Sequence, residues 1–380
     1  MGSQKQTGIR NRTTFAVTGI LLSLAAATPS LRASTIIDLG VLGGSNSFAA
    51  GINASGQVVG SSNTAGKDHA FRYSGSTMTD LGVLGGTNSK SYGYGINDSG
   101  QVVGLSTVAG PDPLNPLDHA FLYSGNTMTD LGTLGGSSSY AGGINASGQV
   151  VGSAETAGDG AQHAFLYSNS TMTDLGTLGG GISWGNGINA SGQVVGWAET
   201  AGDATHAFLY SGGTMTDLGT LGGGISWGIG INASGQVVGY AETAGDLVSH
   251  AFLYTAGHAL TDLGTLGGDY SDAQGINTSG QVVGAAMTTG DQAYHAYVYN
   301  LGVMTDLNTY LPANSGWELT IATAINDSGQ IVGVGTIGGN QHAFLMESPF
   351  SATPEPSTAL LVVAGVAFCL LTRKKLRKTA

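Results

Sequence analysis

The sequence predicts an all-β protein. It is read as a seven-bladed β-propeller whose N-terminal strand closes the last blade, flanked by a helical signal peptide and a C-terminal sorting helix. Three observations carry this reading. Short motifs recur seven times at the period of propeller blades. Each repeat has room for four short strands. The motifs left over at the two ends of the series complement each other.

Three motifs recur in fixed order. Asp-Leu-Gly begins at Asp38, Asp80, Asp130, Asp174, Asp217 and Asp262, with Asp306-Leu-Asn as the seventh copy. Gly-Ile-Asn-x-Ser-Gly-Gln-Val-Val-Gly places its Ile at Ile52, Ile96, Ile144, Ile188, Ile231 and Ile276, with Ala-Ile-Asn-Asp-Ser-Gly-Gln-Ile-Val-Gly around Ile325. His-Ala-Phe begins at His69, His119, His163, His206, His250 and His342, with His295-Ala-Tyr as a variant. Successive Ile positions differ by 44, 48, 44, 43, 45 and 49 residues, the spacing of propeller blades.

In the fourth copy the strands are expected at Thr171–Leu175, Ser183–Asn189, Gln193–Thr200 and His206–Tyr210. Val, Ile, Thr and aromatic residues fill these segments, and Gly, Asn, Ser and Asp break them. Asn-Ala-Ser-Gly between the second and third strands is a tight-turn signal. Four strands in about 45 residues suit a propeller. The coils of a β-solenoid usually need fewer residues, and its ends need caps.

The hairpin spacing supports a closed ring. A two-residue loop at Ser211-Gly212 sets Tyr210 opposite Gly213 and, counting back, His206 against Asp217. The same offset of 11 joins most His-Ala-Phe copies to the Asp that follows, and His250 and Asp262 differ by 12. His342 has no Asp-Leu-Gly after it, and Asp38 has no His-Ala-Phe before it. The N-terminal strand is therefore expected to complete the last blade, with His342 near Asp38.

The ends of the chain read as signals, which divides it into residues 1–33, 34–348 and 349–380. Lys5, Arg10 and Arg12 precede the apolar run Phe15 to Ala27, the order of a secretory signal peptide, with cleavage after Ala27 or Ala33. At the other end Pro354, Glu355 and Pro356 precede an apolar stretch from Ala359 to Leu371, then Arg373, Lys374, Lys375, Arg377 and Lys378. As a helix that stretch spans roughly 20 Å, short for a bilayer core of ~30 Å, and its basic flank is expected to stay cytoplasmic. This tail resembles the PEP-CTERM sorting signal. The resemblance implies recognition by an exosortase, transient tethering in the inner membrane, removal of the tail, and release to the cell surface or extracellular matrix.

Between the two signals, residues 34–350 hold 3 basic and 23 acidic residues, a formal charge of −20. Such a surface disfavours nucleic acid and anionic lipid, and suits neutral partners such as exopolysaccharide. The single cysteine, Cys369, lies in the tail, so no disulfide restrains the repeats. The repeat itself resembles the HAF family of probable extracellular repeats, from about Asp38 to Phe344, departing only at Asn308 and Ala324. The family implies export and repeat architecture, not a reaction.

The candidate chemistry is mostly repetitive. A His–carboxylate pair is the orienting half of many active sites. One in every copy reads instead as a structural hydrogen bond, and the His spacing matches no zinc pattern. The Asn-x-Ser triplets coincide with turns. Glu155, Glu199 and Glu242 in the Ala-Glu-Thr-Ala-Gly-Asp loops read as a solvated acidic face, since no loop matches a Ca²⁺-binding pattern. No metal, cofactor or catalytic residue is assigned. The less regular feature is aromatic: Phe48, Tyr92, Tyr140, Trp184 and Trp227 each lie four residues before the repeat Ile, and Asp272 and Ile321 break the series. Four residues apart on a strand puts them on the Ile face, where they pack between blades or offer a stacking platform to sugar rings. Trp184, Trp197, Trp227 and Tyr240 are the candidate platform. The expected function is a non-enzymatic surface or matrix protein that binds or is displayed among exopolysaccharide. A propeller lyase or glycosidase is the alternative, with Asp269, Asp272, Trp317 and Glu318 as its departures from symmetry.

Overall fold

A computed structural model describes residues 34–350 except 65, 87–88, 110–116, 159 and 246–247. The two end segments read as signals lie outside the described residues. What is described is all-β apart from one short 3-10 turn, Leu307–Tyr310. No described helix is long and apolar enough to cross a membrane.

The repeating unit is a four-stranded antiparallel sheet. In the fourth copy an inner strand, Gly179–Ile188, pairs with Val194–Thr200, then Thr205–Ser211, then the outer Thr214–Asp217. Inner strands of successive copies pack side by side around an axis, and sheets stack through their faces. The stacking interfaces have similar apolar sets, with buried Ser62 and Ser106 replacing one Ala in the first two sheets. Between the third and fourth sheets it contains Val151, Ala164, Leu175, Val194, Ala198 and Phe208. The motifs are thus largely core residues: the Ala and Phe of His-Ala-Phe and the paired Val are fully buried. Burying a Val or Phe side chain is worth about 1.5–3 kcal/mol, and similar sets repeat from interface to interface. No disulfide is then needed to hold the fold.

The first and last described strands meet as expected. Ile36–Asp38 adds to Asn340–Met346, with Ile37 opposite Leu345, in a sheet completed by Ile331–Ile337 and Trp317–Ile325. His342 Nδ1 lies 2.9 Å from Asp38 Oδ2. Beyond that sheet, the first and last copies join directly: Ala343 N–H donates to Ser47 Oγ and Thr323 Oγ1 donates to Ala49 O, each at 2.9 Å. The described residues form a closed β-propeller, not an open stack.

Two register expectations need correction. The outer hairpin of the fourth copy turns on Gly212-Gly213, both at positive φ, so Tyr210 faces Met215 and Asp217 faces Phe208. His206 meets Asp217 diagonally, two residues along the same face, where its ring is long enough to reach. The second correction lies in the inner strand. A register shift between Gly185 and Gly187 leaves Trp184 paired with Trp197, but Ile188 paired with Val194. Trp197 and Val194 are three apart on one strand, so they point to opposite faces. The aromatic residue and the Ile therefore lie on opposite faces, because one extra residue inverts the alternation.

That shift explains an invariant of the motif. At Gly196, the last Gly of Gln-Val-Val-Gly, a Cβ would sit 1.8 Å from the carbonyl oxygen of Trp184. Only glycine admits the bulged carbonyl, and Gly104, Gly152 and Gly239 face the same contact in their copies.

Candidate functional site

The repeated polar motifs are consumed by structure. In every copy the His Nδ1 meets the Asp carboxylate at 2.6 to 3.0 Å. In six of them the same Asp accepts the N–H of the Gly two residues on, and in the remaining one that of Asn308. Each pair pins an outer hairpin. Asn189 is buried. Its Oδ1 accepts from Ser191 and Gln193, and its Nδ2 donates to Gln193 Oε1 and to Asn232 O of the next copy. The same link runs from Asn53 through each copy to Asn326, which donates back to Asn53 O at 3.1 Å. The asparagine amides have both donors and both acceptor positions filled. Glu155, Glu199 and Glu242 accept backbone N–H groups at the start of their own inner strands. The seventh copy departs by compensation. Where other copies place a Ser that bridges two sheets, it has the buried Leu319. Asn308 takes over, accepting from Leu319 N–H and donating to Leu319 O.

The aromatic residues behave differently. They form a continuous arc of nine rings: Tyr92, Tyr94, Tyr140, Trp184, Trp197, Trp227, Tyr240, Tyr270 and Tyr294. Neighbouring centroids lie 4.7 to 6.4 Å apart. The contacts include cross-strand pairs, such as Trp184 with Trp197, and pairs that cross from one sheet to the next, such as Trp197 with Trp227. The four candidate platform residues are brought together, but they stack on one another, with interplanar angles of 13°, 26° and 23°. Their faces are largely covered by one another.

What they share is an axial cavity of about 500 Å3. Tyr94, Tyr140, Trp184, Trp197, Trp227 and Tyr240 line it, with Phe48, Asn186 and Gln274 among the other contributors. Among the described residues, no protein group hydrogen-bonds the three indole N–H groups or the hydroxyls of Tyr94, Tyr140 and Tyr240. Burial pushes the phenols of Tyr94 and Tyr240 up to about 12 and that of Tyr140 higher still. All three stay protonated as donors at physiological pH. Further along the axis the lumen narrows between the repeat Ile residues and ends at the asparagine ring.

Asp272 occupies the aromatic position of the sixth copy. It is buried, and its Oδ1 accepts from Gln274 Nε2 at 2.8 Å and weakly from Ala285 N–H at 3.4 Å. The Tyr270 hydroxyl also bonds its carboxylate, and burial raises its pKa despite these donors. Asp269 and Glu318 do not join it. Asp269 uses its N–H on Asp291, and the exposed Glu318 lies 3.9 Å from His295 Nε2. Trp317 packs edge-on against Phe344. Tyr94, Tyr270 and Tyr294 escape the sequence series because each sits at a different offset from the repeat Ile. Only the spread of aromatics over adjacent copies signals them. The sorting residues Pro354, Glu355, Pro356, Arg373, Lys374 and Lys375 lie outside the described residues.

No protein-family model matches the chain, and no curated protein sequence matches it. Solved propeller structures are similar at low identity. The β-propeller domain of the Trilobed protease from Pyrococcus furiosus is 7% identical with a TM-score of 0.49, over 81% of this chain and 99% of that one. The Aleuria aurantia lectin is 14% identical with a TM-score of 0.36, over 71% of this chain and 98% of that one. The Trypanosoma rangeli sialidase is 9% identical with a TM-score of 0.40, over 84% of this chain and 57% of that one.

Proposed function

We propose that this chain is a seven-bladed propeller that works by binding, and that its aromatic axial cavity takes a carbohydrate. Each repeat supplies one blade, and Ile36–Asp38 supplies the outer strand of the last. The observation that carries the binding reading is the cavity itself. Aromatic edges give apolar contact, and indole and phenol donors without protein partners point to an uncharged, hydroxyl-rich ligand. The Asn, His and Glu motifs, by contrast, are already occupied. A glycan array on residues 34–350, paired with a reducing-sugar release assay, tests this. Binding without release is expected, with Trp197→Ala and Trp227→Ala each weakening it at least about tenfold. Release of reducing ends that is lost in a Glu318 or Asp269 variant would favour the enzymatic alternative.

We also infer export, from the order of basic, apolar and small residues at the N-terminus and of Pro354-Glu355-Pro356, apolar stretch and basic cluster at the C-terminus. In this reading an exosortase removes the tail and the propeller reaches the cell surface among exopolysaccharide. Expression with and without an exosortase, followed by mass determination of the mature chain, tests it. An unprocessed tail in the presence of the enzyme would defeat it.

A further inference from the structure

The two ends of the aromatic arc have similar chemistry, but only one is complete. At the first end the Lys90 ammonium lies 5.8 Å from the centre of the Tyr92 ring and 3.3 Å from Asp118 Oδ2. Tyr92 in turn donates its hydroxyl to Asp68 at 2.9 Å. Ring, carboxylate and cation are all present there. At the other end Tyr240 and Tyr270 adjoin, 6.3 Å between centroids, and Tyr270 hydrogen-bonds Asp272. Here ring and carboxylate are present, and no cation is supplied among the described residues. Residues 34–350 contain only three basic side chains, Lys67, Arg72 and Lys90. Arg72 donates to Gly100 O and Lys90 is held by Asp118. Lys67 lies in the loop after Val58–Asn63, in the first copy, whereas Asp272 lies on the inner strand of the sixth.

A buried carboxylate is ordinarily matched by a cation or neutralised by a proton. Asp272 is 9% exposed, and its partners Gln274, Ala285 N–H and Tyr270 are all neutral. The other titratable groups around it are the phenols of Tyr240, Tyr270 and Tyr297, and the last is buried with no hydrogen-bond partner. Burial pushes the carboxyl upward, against the donors that favour its charged form. Gln274 and Tyr240 line the axial cavity, so a ligand there meets both Asp272's hydrogen-bond partner and the adjacent ring. Aromatic rings beside a desolvated anion are the arrangement that selects organic ammonium ions.

We propose that Trp227, Tyr240 and Gln274 on the cavity wall, backed by the buried Asp272 and by Tyr270, form a subsite for a protonated amine, so that the cavity prefers a sugar polymer bearing free amino groups to its N-acylated counterpart. This inference rests on the carbohydrate-binding reading above and narrows its substrate class.

The test is calorimetric titration of the propeller, near neutral pH, with a β-linked glucosamine hexamer and with its fully N-acetylated form. The free-amine oligomer is expected to bind at least about tenfold tighter. In Asp272→Asn, which keeps the side-chain shape, that ratio is expected to fall toward one. In Tyr240→Leu, which leaves the carboxylate in place, it is expected to fall by several-fold. Equal binding of both oligomers to the wild type would overturn the amine subsite and leave the binding function standing. Failure of both to bind would overturn the binding function itself for this class of sugar, and the subsite with it. A preference that persists in a folded Asp272→Asn would assign it to the general negative field of the surface and overturn the subsite.

Discussion

The asparagine ring and the aromatic arc line the same axis, yet they differ in how they treat repetition. The ring is uniform: each Asn spends its amide on its own turn and on the carbonyl of the next copy, and Asn326 returns the link to Asn53. The arc is graded. It runs from tyrosine through three tryptophans and back to tyrosine, and in the sixth copy Asp272 holds the position that is aromatic in the second to fifth. A feature that satisfies itself in every copy maintains the fold. A feature that varies between copies and leaves donors free is open to a ligand.

Changes to the uniform part are expected to cost stability. The largest loss is expected from Phe208→Ala, which empties a fully buried site between sheets and should lower unfolding free energy by about 3–5 kcal/mol in chemical denaturation. Gly196→Ala comes next, at about 3 kcal/mol, because the new methyl meets the Trp184 carbonyl and the backbone must give way. Asn189→Ala strands buried N–H groups of its own turn and the carbonyl of Asn232, with a loss of about 2 kcal/mol. If Asn189→Ala proves neutral, the ring is ornament and the comparison fails.

Changes to the graded part are expected to move binding more than folding. Trp227→Ala is expected to weaken carbohydrate binding at least about tenfold while costing less stability than Phe208→Ala, since its ring is only half-buried. Asp272→Asn sharpens the contrast further. A carboxyl whose pKa is raised by folding stabilises the native state below the unfolded value, about 3.9, and loses that contribution as pH rises through the folded value. The unliganded Asn variant lacks this penalty. It is expected to melt no lower than the wild type at neutral pH, and the difference is expected to shift against it as pH falls through the raised folded value toward about 3.9. A variant markedly less stable at neutral pH would mean that Asp272 serves the fold, as the asparagines do.

Much of the architecture is legible before any coordinates. The period, the four strands and the unmatched Asp38 and His342 follow from counting, because a ring of repeats must pair its ends. The outer hairpin shows where counting stops. The choice of Gly212-Gly213 over Ser211-Gly212 as the turn moved the register by two, and the His206–Asp217 pair survived because a shift of two preserves the face. The inner strand shows the opposite case. One bulged residue between Gly185 and Gly187 placed Trp184 away from Ile188, and no local signal marked it except the glycine that makes room for it.

The amino-acid sequence alone settled which residues recur, how many times, and therefore that the two ends of the repeat series belong to one sheet. Periodic information survives in one dimension because each copy repeats the same local preferences. Only the tertiary structure decided that the aromatics stack on each other, that their edges and donors share one cavity, and that Asp272 stands buried beside them without a cation. Those relations depend on bulges and on contacts between residues as far apart as Trp197 and Trp227, and through-space proximity of that kind has no signature in local order.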